Sequence, residues 1–492
     1  MRLKASTTFF LLPLSCIFAS SKRSRKGDGY FMAKKGAAID MLHGPLAKPL
    51  LIFAIPLALT GILQQLFNTA DILVLGKFVG TTALAAVGNN APIIGLMVTL
   101  FLGISLGSNV VIAQFIGGRR YRETTKAVHT SIALALVIGI VIMAFGELLA
   151  GQMLEVLAVP SEVMPEAETY LRIYILALPA ISLYNFEAAI FRARGDTRTP
   201  LYALLLASLL NIAGNLVAVA ALDTGIAGVA WATTLSYYVG SLYLLQKLRH
   251  AFGVIRLELG AIQLDGPVVR RIIQIGLPAG IQGMVFCLSN LVIQAAINSL
   301  GATVMAASAA AFTVEINCYA FLISFGQALT TFVGQNYGAA NLRRCRQVTR
   351  VAMALGLSFT VALSVLVCVF ADPILAFFDP HPEVIAIGRT RIYYIVGFYF
   401  LDMLIELLSG AMRGYGYSLP PALLMLVTIC GVRIVWIKTA FAMDPTFPVI
   451  MLSYPLSWAI TSVLLFGVYF YYRKNIRVSR VLPKKQLRTA EA

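Results

Sequence analysis

The sequence predicts an all-α integral membrane protein of twelve transmembrane helices, built as two parallel six-helix repeats. Three observations carry that expectation. The 492 residues are 59% hydrophobic and only 12% charged, with a mean hydropathy of +0.82. A soluble chain of this length carries about twice that charge. Apolar stretches of about 20 residues recur along the whole length, which is what a helix needs to cross the hydrocarbon core. Finally, segments of the first half return in the second at a nearly constant offset.

The chain opens on an N-terminal extension, residues 1–44, expected on the cytoplasmic side. Arg2 and Lys4, an apolar run from Thr7 to Ala19 and a basic stretch from Lys22 to Lys26 resemble a weak signal peptide. Cleavage there would leave Lys48 and the start of the first helix outside. The expected native start is therefore Met32, with residues 1–31 an upstream extension.

The first helix, about 49–74, carries Thr60, Gln64, Asn68 and Asp71 at i, i+4, i+8 and i+11, on one helical face. A carboxylate inside a membrane span is costly unless it faces a cavity or a partner, so Asp71 is a functional-site candidate. The next three helices are expected at about 83–108, 127–150 and 168–191. Gln114-x-x-Gly117 sits where the second leaves the membrane and reads as a turn and packing element. Glu187 lies in the fourth, seven residues before Arg194-Gly195. The fifth, about 199–221, places Ser208, Asn211 and Asn215 on one face, and the sixth covers about 225–246. Residues 45–246 thus form an N-terminal lobe. The basic stretch 247–271 has no enzyme-like motif and reads as a cytoplasmic interlobe linker.

The C-terminal lobe, 272–472, holds helices at about 272–299, 305–333, 348–370, 390–412, 419–441 and 447–471. Gln282, Asn290, Gln294 and Asn298 step along the seventh at multiples of four. They line a substrate path or act as helix–helix glue. Glu315 is an intramembrane acid of the eighth helix, which ends in Gln335-x-x-Gly338. Asp402 and Glu406 share a face of the tenth and, with Glu315, outline a second acidic locus. Arg433 lies thirteen residues past Pro420, roughly 20 Å deep in the eleventh helix. An unpaired guanidinium there is very costly, so Arg433 is expected to pair with Asp402, Glu406 or Glu315. Residues 473–492 form a basic cytoplasmic tail.

Charge in the loops alternates sharply. One side holds seventeen basic residues: Arg119, Arg120, Arg122, Lys126, Arg192, Arg194, Arg198, Lys247, Arg249, Arg256, Arg270, Arg271, Arg343, Arg344, Arg346, Arg350 and Arg413. The other holds five: Lys77, Arg172, Arg389, Arg391 and Lys438. The rich side is cytoplasmic by the positive-inside rule, with both termini inside. The same rule accounts for the net charge of +17 without nucleic-acid binding.

The repeat is exact in places. Arg172-Ile173-Tyr174, Glu187 and Arg194-Gly195 return 219 residues later as Arg391-Ile392-Tyr393, Glu406 and Arg413-Gly414. Pro200 pairs with Pro420 after a one-residue slip, and Pro56, Asn68 and Gln114-x-x-Gly117 pair with Pro278, Asn290 and Gln335-x-x-Gly338. Asp71 does not repeat, its counterpart being Ile293. Both copies keep Glu187 and Glu406, which suggests a structural or gating role. An inner gate would pair them with Arg194 and Arg413 or with neighbouring basic loops; the alternative is a role in binding cations. Two parallel halves around a central path are the architecture of a secondary transporter, with sites near the midplane opened alternately.

Other chemistries find little support. The six cysteines form no CxxC pair and read as small buried hydrophobes. The four histidines show no HExxH spacing, no serine lies in GxSxG, and there is no Walker motif. The expectation is a transporter and not a membrane-embedded enzyme, with no cofactor and no metal.

At this point the chain resembles the MATE (multidrug and toxic compound extrusion) family, in its MepA-like bacterial branch. The resemblance rests on FNTADILVLGKFVGTTALAAVG (67–88), FRARGDTRTP (191–200), GIAGVAWAT (225–233), FVGQNYGAAN (332–341) and GAMRGYGYSLPP (410–421). It covers about residues 45–472. It implies a V-shaped pair of lobes in the bacterial inner membrane, a monomer whose partners are small-molecule substrates and the lipid bilayer. It also implies export of amphipathic, often cationic compounds driven by H+ or Na+. Asp71 matches the family's first-helix acid. The family has an Asn at the position of Asn211 and often an Asp where this chain has Asn215. The implied ion-coupling set is therefore one carboxylate, Asp71, with Asn211, Asn215, Gln64 and Asn68 as neutral neighbours. A second cargo within the same superfamily is a lipid-linked oligosaccharide, against which the cavity offers few basic groups apart from Arg433.

Overall fold

The computed structural model describes residues 38–157 and 159–475. The expected start at Met32, the extension through residue 37 and most of the basic tail lie outside the described residues. The described residues are helical, with no strand. In the first half, α1 (Ala47–Phe78), α2 (Thr81–Gly117) and α3 (Tyr121–Val156) are long single helices. Helices α4 (Met164–Ile175) and α5 (Leu178–Arg194) form one span bent by 44°. The bend falls where Pro179, lacking an N–H, opens the second piece. Helix α6 (Arg198–Leu216) runs into a π-helical turn, Val217–Ala221, and α7 (Gly225–Arg249) completes the set.

The second half repeats this plan. Helices α8 (Gly266–Asn298), α9 (Ala302–Gly338) and α10 (Leu342–Val369) correspond to the first three. After the short α11 (Ala371–Ala376), α12 (Pro382–Ile395) joins α13 (Tyr399–Gly414) through a 3₁₀ turn at Val396–Phe398. Helices α14 (Leu419–Met425) and α15 (Val432–Lys438) flank a π-helical segment, Leu426–Gly431; α16 (Ala440–Met443) leads to α17 (Phe447–Asn475).

Ten helices are long and apolar enough to cross a membrane, and the bent α4–α5 pair makes eleven. The twelfth expected span, α7, is a 25-residue helix that packs on α6, α5 and α4. Its Thr, Ser and Tyr residues lower its apolarity, and several are spent on contacts inside the lobe. Outward-facing apolar side chains such as Phe145, Leu148, Val427 and Val463 are widely exposed, the surface that lipid covers.

The turns show the repeat and also correct it. Arg119 and Ala340 both take positive φ, at 53° and 59°, where α2 and α9 turn into α3 and α10. Gly195 caps α5 at φ 100°, in the left-handed region that glycine enters freely. Gly414, paired with it by sequence, is instead the last residue of α13, and Gly416 takes the left-handed turn at φ 89°. Likewise Pro421, not Pro420, holds the third helical position that Pro200 holds in α6. The second copy thus carries two extra residues at this turn.

The lobes meet along α2 and α8, and along α1 and α2 against α9. Gly103 and Gly107 of α2 lie directly on the backbone of Gly280 and Ile272 in α8, so the helices cross without side chains between them. The tightest approach is at the basic end. There Gly117 meets the carbonyl of Gln335, and Gly338 meets the carbonyl of Gln114.

Candidate functional site

Helices α1, α6 and α7 bring one carboxylate and three neutral polar side chains together. Asp71 lies on α1, about 10 Å of helix from its end at Phe78. Its Oδ1 accepts from Asn215 Nδ2 at 2.5 Å and its Oδ2 from the Thr233 hydroxyl at 3.0 Å. Asn215 Nδ2 also reaches Asn211 Oδ1 at 3.3 Å, and Asn211 Nδ2 donates to Thr233 Oγ1 at 3.0 Å. The four residues close a ring of hydrogen bonds and all four are buried. No cation touches Asp71 among the described residues, and Asn215 Oδ1 is buried with no partner. The π-helical turn follows directly after Leu216, and such turns frequently mark functional sites in helices.

Asp71, Asn211 and Asn215 are thus brought together as the sequence suggests, but Gln64 and Asn68 are not part of the ring. Neither makes a side-chain hydrogen bond among the described residues, and Asn68 is exposed. Gln64 shares the face of Asp71 but lies about 10 Å further along α1, and Asn68, three residues back, turns to the exposed side. The residue missed from sequence is Thr233. Hydroxyls in membrane helices mostly bond their own backbone, as Thr60 does to the Pro56 carbonyl at 2.8 Å, so nothing in its spacing sets it apart.

The C-terminal lobe has no such ring; Ile293 stands buried where Asp71 would be. Its acids are separately placed. Glu315 takes a two-pronged ion pair from Arg391, with Nε to Oε1 at 2.7 Å and Nη2 to Oε2 at 2.9 Å. Arg391 also donates to Ser308 Oγ at 2.5 Å. Arg391 therefore belongs to the lobe interior and not to a loop, which strengthens the charge asymmetry between the two sides. Glu406 pairs with Arg413 at 3.2 Å. Asp402 is buried and makes no hydrogen bond or ion pair among the described residues.

The expected pairing of Arg433 is overturned. Its Nε donates to Ser457 Oγ at 3.2 Å, while Nη1 and Nη2 have no partner. The guanidinium lies over the rings of Tyr454, Phe286 and Trp458, at 4.1, 5.4 and 5.8 Å from their centroids. Two of the three candidate acids are already taken by Arg391 and Arg413. The aromatic faces supply part of the compensation that a carboxylate would otherwise give.

The symmetric gate is half present. Glu406 pairs with Arg413, but Glu187 does not pair with Arg194. Glu187 is fully buried, accepts from the Ser241 hydroxyl of α7 at 3.0 Å and leaves Oε1 unbonded. Closure of the basic end depends on other residues, which the sequence reading left as turn and packing elements. Gln114 Nε2 donates to the Gly414 carbonyl at 2.8 Å, and Gln335 Nε2 donates to the Ala193 carbonyl at 2.7 Å. Each glutamine reaches the end of a helix in the other half. Arg271 adds a bond to Gln114 Oε1, and Thr331 donates to Asn109 Oδ1 at 3.0 Å.

The polar residues of α8 do not form a continuous line. Gln282 bonds the Met425 sulfur of α14 at 3.3 Å, as helix–helix glue. Gln294 bonds Asn298 on its own helix at 2.8 Å, and Asn290 Oδ1 is buried without a partner.

The MatE family model matches the chain twice, over residues 56–217 and 278–437, once per half. The "Probable multidrug resistance protein YoeA" of Bacillus subtilis is 26% identical over 442 residues, covering 88% of this chain and 95% of that protein. The "Probable multidrug resistance protein NorM" of Thermotoga maritima is 27% identical over 412 residues, covering 82% and 86%. Among solved structures, a multidrug resistance MATE family transporter of the MOP superfamily in its outward-facing conformation superposes with a TM-score of 0.82. The two are 19% identical, and the match covers 90% of this chain and 99% of that one.

Proposed function

The chain belongs to the MatE family of multidrug-efflux transporters, and on that premise we propose that it is a secondary active antiporter, exporting amphipathic, cationic compounds in exchange for a proton or a sodium ion. Members of the family are transporters, not enzymes. The observation that carries the coupling is the Asp71 ring: one buried carboxylate, three neutral partners and no cation. Such a group is costly as a bare charge and gains by binding a proton or a small cation. Sodium would find oxygen donors in Asp71, Asn211 and Asn215.

The ring also supplies the link to movement. Asn215 and Thr233 both donate to the ionised carboxylate. A proton on Asp71 removes its charge and makes one oxygen a hydroxyl, a poorer acceptor, so the bond accepted by that oxygen weakens. That loosens α1 from α6 and α7. Because α1 also packs on α9, the change is passed to the interface between the lobes. Of the acids of the C-terminal lobe, Glu315 and Glu406 already hold arginines, and Asp402 is buried without a ring of neutral donors. Arg433, the cation a diphosphate cargo would use, is enclosed by aromatic rings.

The reading places the protein in the bacterial inner membrane as a monomer, with the basic side and both termini in the cytoplasm. The tight contact at the basic end then corresponds to a state closed to the cytoplasm. The test is uptake of a cationic dye by proteoliposomes under an imposed proton or sodium gradient. Antiport requires uptake driven by at least one gradient and abolished by collapsing it. Dye movement indifferent to both gradients contradicts the proposal.

A further inference from the structure

We propose that the linker between the halves forms a binding site for the headgroup of an anionic phospholipid. This rests on the chain spanning a bilayer and not on the coupling mechanism or the choice of cargo. The segment after α7 is fixed in place. Leu257 N donates to the Leu248 carbonyl at 3.1 Å, and Ile255 and Leu257 are buried. Three side chains of α3 hold the rest. Thr125 donates to the Val254 carbonyl at 3.3 Å, and His129 Nε2 accepts from Glu258 N at 3.0 Å. Thr130 donates to the Gln263 carbonyl at 3.1 Å and accepts from Asp265 N at 3.2 Å.

The anchored segment encloses a hollow of about 310 Å³ lined by Arg249, His250, Arg256, Leu257, Glu258 and Leu259. The side chains of Arg249 and Arg256 are exposed and take part in no hydrogen bond or ion pair among the described residues. His250 Nδ1 bonds the Gln246 carbonyl at 2.9 Å, which leaves Nε2 for the hollow. Glu258 is the one acid in the lining, so two guanidinium groups outweigh one carboxylate. In the same segment Phe252 is 81% exposed, and Leu259 of the lining and Leu264 are also exposed. An aromatic side chain beside basic residues at the end of a membrane helix matches the headgroup boundary, where rings embed and guanidinium groups meet phosphate. The occupant is thus a phosphodiester with acyl chains: the arginines take the phosphate oxygens while Phe252 enters the acyl boundary. A free phosphate would satisfy the arginines but gives Phe252 no role.

The site is tested by native mass spectrometry of the full chain in detergent, titrated with phosphatidylglycerol, phosphatidylcholine or inorganic phosphate. Variants are compared only where they elute as the wild type does. Wild type should retain phosphatidylglycerol at concentrations about tenfold below those needed for phosphatidylcholine. Arg249→Gln with Arg256→Gln should weaken phosphatidylglycerol binding by about thirtyfold, from the usual contribution of each basic residue near an anionic surface. Phe252→Ala should weaken it severalfold without any change in charge. Arg343→Gln with Arg346→Gln, which removes an equal charge from the basic start of α10, should leave it unchanged. Equal binding of the two lipids, an equal loss in the Arg343/Arg346 variant, or displacement of the lipid by millimolar inorganic phosphate would each overturn the proposal.

Discussion

Thr233 is the residue the Asp71 ring can least replace, because its hydroxyl donates to Asp71 and accepts from Asn211 at once. Thr233→Val leaves a buried carboxylate oxygen and a buried amide N–H unbonded, each costing about 1–3 kcal/mol. The expected outcome is a lower thermal midpoint in detergent and a gradient-driven dye flux reduced about tenfold or more, both recovered by Thr233→Ser. Recovery in the valine variant alone would show that the hydroxyl is dispensable. Arg391 and Arg433 give a second contrast. Arg391→Met strands the buried Glu315 and should cost about 3–5 kcal/mol, the usual loss when one partner of a buried pair is removed. Arg433→Met strands no paired acid, so its cost should be clearly smaller in the same unfolding assay. The residues that sequence could and could not reveal divide in the same way. Asp71 stands out as a carboxylate in an apolar run, and Asn211 with Asn215 by helical spacing. The surroundings of Arg433 are not legible in sequence, because separation along the chain says nothing about Arg391, which reaches Glu315 from 76 positions away.

At the scale of elements, α2 and α9 close the basic end. Gln114-x-x-Gly117 and Gln335-x-x-Gly338 recur at the same helical position in the two halves, and that recurrence is visible in sequence. What is not visible is that each motif packs on the other, glycine against carbonyl. A Cβ at Gly338 would overlap the Gln114 carbonyl, and that carbonyl belongs to backbone that cannot rotate away. Gly338→Ala should therefore push the lobes apart at this end. Spin labels at Arg122 and Arg343, on opposite halves, should report a longer mean distance in the variant than in the parent. An unchanged distance distribution would mean that the contact does not hold the lobes together. The helices themselves follow from composition: eleven apolar spans and the less apolar α7, with interruptions where Pro179 breaks the α4–α5 span and where π-helical turns interrupt the spans of α6 and α14. The shift from Gly414 to Gly416 escaped sequence alignment because Arg-Gly recurs in both copies while the turn conformation does not.

At the scale of the molecule, two copies of one unit have diverged. The first half holds Asp71 in a ring of three neutral partners. The second spends Glu315 and Glu406 on arginines and leaves Asp402 alone. Duplication accounts for the frame, the turns and the basic-end contact; the Asp71 ring belongs to one copy only. The central claim is that this ring couples the driving cation to transport. Its most direct test is gradient-driven dye uptake into proteoliposomes by Asp71→Asn and Asp402→Asn, each checked for equal reconstitution and retained dye binding. Asp71→Asn should abolish the gradient-driven component, while Asp402→Asn should keep most of it. Full gradient-driven uptake by Asp71→Asn would contradict the account.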